Sequence, residues 1–436
     1  MWPYHPDLLE TAVPRYTSYP TAADFGAIPA NALNEQIEQV SGDISLYLHI
    51  PFCEKICHYC GCNTGAANRR QRVESYLAAL RSEIETVAGL LPRDTPVRRI
   101  AFGGGSPNAI EPREFIDLVD ALSRHFWLVD TEWSIELDPR SMSSVWGEAI
   151  AEAGITRASM GVQTFAARCQ KAIGREQDDS LICRSIDWLR SAGVTSMNFD
   201  LMYGLPFQTQ EDLADSLEYT SLLGADRIAV FGYAHVPHMV PRQKMIDVSA
   251  LPDRDTRFAM AGQAYDYLTS EGYKAVGFDH FALPHDPMAI AMTDGNLRRN
   301  FQGFTDDQSE VLIGLGSSAI SGFPELIAQN EKNNGRYRMI ATDGKLTANV
   351  GIQRDANDRL RAGVIEDLLC RGKVELSPCL LSQARAHLTQ FIERGLATLE
   401  AGKLAITPDG LPYARVIAAI FDSYRQKSPN RFSSAI

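Results

Sequence analysis

Four of the chain's eight cysteines, Cys53, Cys57, Cys60 and Cys62, lie together in CEKICHYCGC at 53–62. Thiols this close together in a chain with so few cysteines point to a metal. A structural zinc site takes two separated pairs, because each knuckle offers two sulfurs to one tetrahedral ion, and no second pair follows downstream. The spacing C-x3-C-x2-C-x-C sits on one loop, where Cys60 and Cys62 could not both reach one small centre without strain. An iron–sulfur cubane suits the first three cysteines better, since each thiolate takes its own iron corner. One iron is then left open, as a catalytic metal requires. Such a cluster can bind a substrate group and hand it an electron.

These cysteines follow the apolar run ISLYLHI (44–50), which reads as a strand, and the pattern then repeats. Val73, Tyr76, Leu77, Leu80, Ile84 and Val87 share one helical face. The strand VRRIAF (97–102) runs into Gly103-Gly104-Gly105. Strands at 132–137, 157–163, 196–206 and 227–237 alternate with helices near 112–125, 144–153, 178–192 and 209–223. Six β–α units in a row imply a parallel sheet, closed as a barrel or wound open; periodicity does not choose. The carboxyl ends of such strands form the active face. There the sequence puts the cysteine loop, the glycine triplet, Glu136, Gln163, Asp200 and His235.

Composition limits the partners. The formal charge of −12 argues against a nucleic-acid surface while leaving room for a local basic pocket. No apolar run reaches the length of a membrane span, and the N-terminus lacks a signal-peptide pattern, so a cytoplasmic, reducing location is expected. Cys169, Cys183, Cys370 and Cys379 then read as small buried hydrophobes. We expect an N-terminal arm (1–35), a catalytic domain (36–340) and a C-terminal, mostly helical domain (341–436) resembling a winged helix. Its helices at 355–370 and 380–395, the second stopped by Gly395, precede a hairpin at 396–407 and a last helix opened by Thr407-Pro408. The segment is not strongly basic, so a substrate-covering role is expected rather than DNA reading.

Cys53, Cys57 and Cys60, with Tyr59 before the third, resemble the signature of radical S-adenosylmethionine (SAM) enzymes. The glycine triplet resembles that superfamily's backbone site for the methionine end. PRYTSYPTA (14–22), YLHIPFC, CGCN, GGGSP, SIELDPR, SMGVQ, REQ, NFDLMYGLP, YAHVP, FDHFA and RNFQGFT carry the resemblance further, over nearly the whole chain. Together they resemble the family of oxygen-independent coproporphyrinogen III oxidases. The arm PRYTSYPT and the fourth cysteine separate it from the related haem chaperones, and haem-modifying radical SAM methyltransferases are the other alternative.

The resemblance implies an α/β fold with a partial (β/α)6 barrel. It also implies a radical oxidoreductase of porphyrin biosynthesis that converts two propionates of coproporphyrinogen III to vinyls. It implies one [4Fe–4S] cluster on Cys53, Cys57 and Cys60, and two SAM molecules. Tyr47, Gly104, Glu136 and Ile320 would contact the SAM on the cluster. Tyr59, Gly105, Ser106, Gln163, Arg175, Asp200 and Ala234 would contact the second. Ser106 stands where the family usually has threonine and Tyr59 where phenylalanine is frequent. Cys62 becomes a thiol outside the ligand set, able to transfer a hydrogen or to tune the second SAM site. His49, His235 and His280 read as structural, and His58 as a bystander. A monomer is implied, served by a flavodoxin- or ferredoxin-like electron donor. The substrate's four carboxylates call for arginines, with Arg15 and Arg298 or Arg299 as candidates.

Overall fold

The computed structural model describes residues 2–10 and 12–425; residues 426–436 of the expected C-terminal domain, and Met1 and Thr11 of the arm, lie outside them. The six expected strands and the five helices between them are present in order, and a sixth helix, not placed from the sequence, follows the last strand. They are β1 (Ile44–Ile50), α1 (Arg70–Leu90), β2 (Pro96–Gly104), α2 (Pro112–His125), β3 (Trp127–Leu137) and α3 (Ser144–Glu152). There follow β4 (Arg157–Gln163), α4 (Asp179–Ser191), β5 (Ser196–Tyr203), α5 (Gln210–Leu222), β6 (Arg227–Gly232) and α6 (Arg254–Ser270). Next come β7 (Val311–Leu315), β8 (Ile320–Gly322), β9 (Leu326–Asn330), α7 (Asn334–Thr342), β10 (Ala348–Gln353), α8 (Ala356–Arg371) and α9 (Pro378–Glu393).

The chain forms two compact units. One, here the loop unit, comprises Gly26–Asp200 and Ser309–Gln353. Its sheet is parallel where the site is built. β1 pairs with β2 (Tyr47↔Ala101, Ile50↔Gly104), β2 with β3, β3 with β4 (Glu136↔Ser159), and β7 joins β1 on its other side (Gly314↔Tyr47). β8, β9 and β10 extend it in antiparallel fashion. Every residue of β1 is buried, as a strand covered on both faces must be. α1 buries all six apolar residues expected on its inner face, and with them Glu83. β3 starts earlier than the sequence suggests, because Asp130 sits at φ 46° beside a register shift that interrupts the alternating pattern.

The other, the arm unit, comprises Met1–Phe25, Leu201–Gln308 and Arg354–Ile436. In it β6 pairs with the short strand His280–Ala282, which pairs with Lys274–Val276. β6 stops at Gly232, so His235 is a loop residue rather than a strand end, its Nδ1 2.8 Å from the Tyr233 hydroxyl. Asp355 caps α8, whose end at Gly372 takes φ +65°. Gly395 ends α9 at φ +72°, and the hairpin Ala397–Glu400/Lys403–Ile406 follows. The Thr407 hydroxyl accepts from the Gly410 amide, as an N-cap should. The turn it opens is a 3-10 helix, Pro408–Tyr413, with Pro412 inside it, and only Ala414–Ala418 is α-helical. Of the four scattered cysteines, Cys169 and Cys370 are buried and Cys183 half-buried. Cys379, however, is exposed near the start of α9, contrary to the reading as a buried hydrophobe.

Candidate active site

At the carboxyl end of β1 the chain passes through Pro51 and Phe52 into the cysteine loop. Main-chain bonds fix that loop: Gly65 N–H to Pro51 O at 2.9 Å, Ala67 N–H to Cys53 O at 2.9 Å, and His58 N–H to Ile173 O at 2.9 Å. The glycine triplet ending β2 packs against the same segment. Gly105 N–H donates to Ile50 O at 2.9 Å and Ser106 N–H to Phe52 O at 2.8 Å. The approach needs glycine, since a Cβ on Gly103 would stand 2.7 Å from Glu136 and one on Gly105 2.5 Å from Phe52 O. Gly104 takes φ +115°, a left-handed conformation that glycine adopts without penalty.

All eight cysteines are free thiols. The Cys53 Sγ lies 3.1 Å from the Thr64 hydroxyl, and burial pushes its thiol pKa up to about 11. Two guanidinium groups reach the Cys57 sulfur, Arg175 Nη1 at 3.3 Å and Arg140 Nη2 at 3.4 Å. Asp138 ties these arginines together, 2.6 Å from Arg140 and 3.2 Å from Arg175. Burial raises its carboxyl, but Arg175 and then Arg140 outweigh burial and hold it below the usual range. Both guanidinium groups thus point N–H donors at a sulfur of the cysteine loop. Among the described residues no three His, Cys, Asp or Glu side chains converge on a single-ion position. A cubane asks for something else, one thiolate at each of three corners.

Glu136 and Cys62 are both solvent-accessible side chains. Burial heads the causes that raise Glu136, and the Cys60 thiol, followed by burial, raises Cys62. Tyr47 and Cys62 each feel the Glu136 charge, which places the three side chains near one another. Among the described residues Glu136 has one hydrogen bond, from Gly104 N–H at 3.2 Å. Burial and the neighbouring Asp200 charge push its carboxyl up to about 7. A carboxylate with one donor inside protein fits a cationic ligand. Ile320 follows from the strand pairing: its main chain lies against Gly314, the partner of Tyr47. Cysteines, glycine cradle and acid thus form a donor set that fits an iron–sulfur cluster with a sulfonium amino acid beside it.

A second group of expected residues is also gathered in the loop unit. Gln163 ends β4 at φ +70°, a conformation costing about 1–3 kcal/mol in a non-glycine residue and one that clusters at functional sites. Its amide and the Arg175 guanidinium both crowd Gly161, where a Cβ would stand 2.9 Å from one and 3.0 Å from the other. Asp200 accepts from Ser159 Oγ at 3.2 Å and Asn198 Nδ2 at 2.8 Å. Ser106 is buried with its hydroxyl 2.5 Å from Asn108 Oδ1, and Asn108 in turn exchanges two hydrogen bonds with the Asp138 main chain. Tyr59 is half-buried, and burial raises its phenol well above the ordinary value. Ala234 belongs to the arm unit, where it lines a pocket and accepts from Gln243 at 3.0 Å.

Asp138, Arg140, Asn108 and Thr64 were not singled out from the sequence. Asp138 and Arg140 stand in SIELDPR, and an acid–base pair just past a strand end was the available signal. His49 is structural, as expected, with Nε2 3.1 Å from Asn63 O. Arg298 is engaged by Glu366 at 2.9 Å, which leaves Arg15 and Arg299 of the arginines considered.

Residues 47–220 match the family model described as the radical SAM superfamily. A protein of Bradyrhizobium diazoefficiens named oxygen-independent coproporphyrinogen III oxidase is 38% identical over 440 residues, covering 98% of each chain. One of the same name from Paracoccus denitrificans is 39% identical, covering 96% of this chain and 95% of its own. Among solved structures, coproporphyrinogen III oxidase (HemN) from Escherichia coli, described as a radical SAM enzyme, matches with a TM-score of 0.90. It is 33% identical, over 97% of this chain and 99% of that one.

Proposed function

The chain belongs to the family of oxygen-independent coproporphyrinogen III oxidases, and from that premise we propose that it decarboxylates two propionates of coproporphyrinogen III to vinyls, giving protoporphyrinogen IX. It is a radical SAM oxidoreductase of the α/β class. The observation that carries the reading is the meeting, at the strand ends, of the cysteine loop, the Gly103–Gly105 cradle and Glu136. When bound, the cluster and SAM supply a reducing electron and a primary carbon radical able to take hydrogen from an unactivated C–H bond. The substrate then loses CO2 and one electron to an acceptor outside this chain.

In this reading Cys53, Cys57 and Cys60 hold the [4Fe–4S] cluster, with Arg140 and Arg175 donating to the Cys57 sulfur. Tyr47, Gly104, Glu136 and Ile320 hold the SAM at the cluster. Tyr59, Gly105, Ser106, Gln163, Arg175, Asp200 and Ala234 serve a second SAM. Arg175 already bonds to Cys57, Asp138 and Gly161 O, so there it would connect cluster and cofactor. Cys62 stays outside the ligand set as a hydrogen-transferring thiol. We place the enzyme in the cytoplasm as a monomer fed by a flavodoxin- or ferredoxin-like donor. No helix among the described residues is long and apolar enough to cross a membrane.

The test is anaerobic incubation of the cluster-reconstituted protein with reductant, SAM and coproporphyrinogen III. Release of CO2 with 5′-deoxyadenosine and a divinyl product is expected. 5′-Deoxyadenosine without CO2 would overturn the decarboxylation, and tight haem binding with neither product would favour a chaperone. Cys62→Ser should keep the cluster's absorbance and lose turnover; full turnover would end the role given to Cys62.

A further inference from the structure

The arm unit contains a pocket of about 820 Å³, counting its open mouth, that collects positive charge. Arg15 from the arm, Arg257 from α6 and Arg415 from the helical turn Ala414–Ala418 all line it. Asp279 also lines it, and Val230, Ala261, Phe278 and Phe281 give it an apolar and aromatic wall. Gly204, at φ +77°, makes room for one of these arginines, since a Cβ there would stand 2.8 Å from Arg257 Nε.

Arg15, Arg257 and the neighbouring Arg299 are held by neutral hydrogen-bond partners. Arg15 Nη2 donates to Gly232 O at 3.1 Å while its guanidinium covers Phe231 at 5.2 Å from the ring centre. Arg257 Nη2 donates to Tyr233 O at 2.6 Å, and its buried Nε has no hydrogen-bond partner. Arg299 stands nearby, stacked on Phe304 at 4.3 Å and donating to Tyr16 O and Arg15 O at 2.9 and 2.8 Å; its Nη1 is buried without a partner. Among the described residues no carboxylate side chain bonds to Arg15, Arg257 or Arg299. The pocket's acid, Asp279, bonds to His280 at 2.7 Å. Burial lowers Arg415 to about 10 and also lowers Arg257 and Arg299. At neutral pH they remain cations, and with three arginines lining the pocket against the single carboxylate of Asp279 among its lining residues, the excess of positive charge favours an anion.

We propose that this pocket binds a carboxylate at the tip of an apolar arm, a propionate of the tetrapyrrole, with Arg15, Arg257 and Arg415 as its donors. The inference rests on the function proposed above and deepens it by naming where a substrate carboxylate is held. An apolar wall meets the methylenes, and planar guanidinium groups meet the carboxylate. SAM also carries a carboxylate, so the experiment has to separate the two sources.

The probe is coproporphyrin III, the stable aromatic form with all four carboxylates, titrated by fluorescence against the full-length protein. Arg257→Gln and Arg415→Gln should each weaken binding about tenfold or more. Lysine at the same positions should recover part of that loss. The tetramethyl ester should bind wild type and variants alike, and SAM affinity should not move. Variants that melt like wild type yet bind coproporphyrin III equally well would overturn the pocket while leaving the enzyme's turnover, and so the function, intact. Loss of SAM affinity in place of porphyrin affinity would overturn it too, giving the pocket to the cofactor. A wild type that neither binds the porphyrin nor releases CO2 would instead overturn the function. If Arg257→Gln does not fold, Arg15→Gln applies the same readouts to a residue whose guanidinium contacts a main-chain carbonyl and a ring face among the described residues.

Discussion

Two glutamates of the loop unit, Glu83 and Glu136, are pushed by burial to the same value, about 7, yet they meet opposite surroundings. Glu83 is saturated. Its carboxylate accepts from Gly316 N–H at 2.6 Å, the Tyr337 hydroxyl at 2.7 Å and Asn330 Nδ2 at 2.9 Å. It thereby ties α1 to the turn after β7, to β9 and to α7. Glu136 accepts one hydrogen bond and faces a second carboxylate, Asp200. Equal pKa values thus hide different roles. A buried acid with a full complement of donors holds a fold together, whereas one with a single donor and a like-charged neighbour is arranged for a ligand the protein does not itself contain.

The largest effect should come from the saturated acid. Glu83→Ala leaves a buried N–H and a hydroxyl without their acceptor, while the Asn330 amide keeps the carbonyls of Gly314 and Gly316, and should cost about 3–5 kcal/mol of stability. Denaturant unfolding measures it, and a loss below about 1 kcal/mol would mean that those donors re-pair without Glu83. Next comes Glu136→Ala, which should leave the unfolding midpoint where it is, or raise it, because it removes a poorly solvated charge. Its effect belongs to binding: SAM affinity at the cluster should fall about a hundredfold, near 2.7 kcal/mol. SAM-induced change in the reduced cluster's EPR signal follows that affinity directly. If Glu136→Ala unfolds as Glu83→Ala does, the two acids are alike and the comparison fails.

How much of this was legible in the sequence depends on distance along the chain. The six strands and the five helices between them follow from local periodicity, and the cysteine loop and glycine triplet are contiguous motifs, so both were readable. Glu83 occupies the same face of α1 as Leu80 and Ile84, and an acid on an apolar stripe was a signal; its partners were not, since Asn330 lies 247 residues away. The Arg175–Cys57 contact spans 118 residues and left no local trace. Arg298 looked like an anion binder only while Glu366, 68 residues on, was unseen. Arg257 had no motif at all: it becomes distinctive through burial against neutral partners, a property of packing rather than of residue type.

The two smaller effects concern how Glu136 reaches its value. Below about 7 the free protein carries Glu136 protonated, so binding a sulfonium cation there first requires loss of that proton. SAM affinity should therefore rise with pH, by up to about tenfold per unit below 7, and level off above it. Glu136→Gln should remove that slope, and a wild-type affinity that falls as pH rises would contradict the assignment. Asp200→Asn tests the weaker of the two causes. Burial is the larger, so most of the elevation should survive the loss of the Asp200 charge, and the midpoint of the SAM titration should move only part of the way towards an ordinary carboxylate. A midpoint that stays in place would leave burial as the sole cause and Asp200 a partner of Ser159 and Asn198 alone. A collapse all the way to an ordinary carboxylate would instead make the pair of charges, and not burial, what prepares Glu136 for a cation.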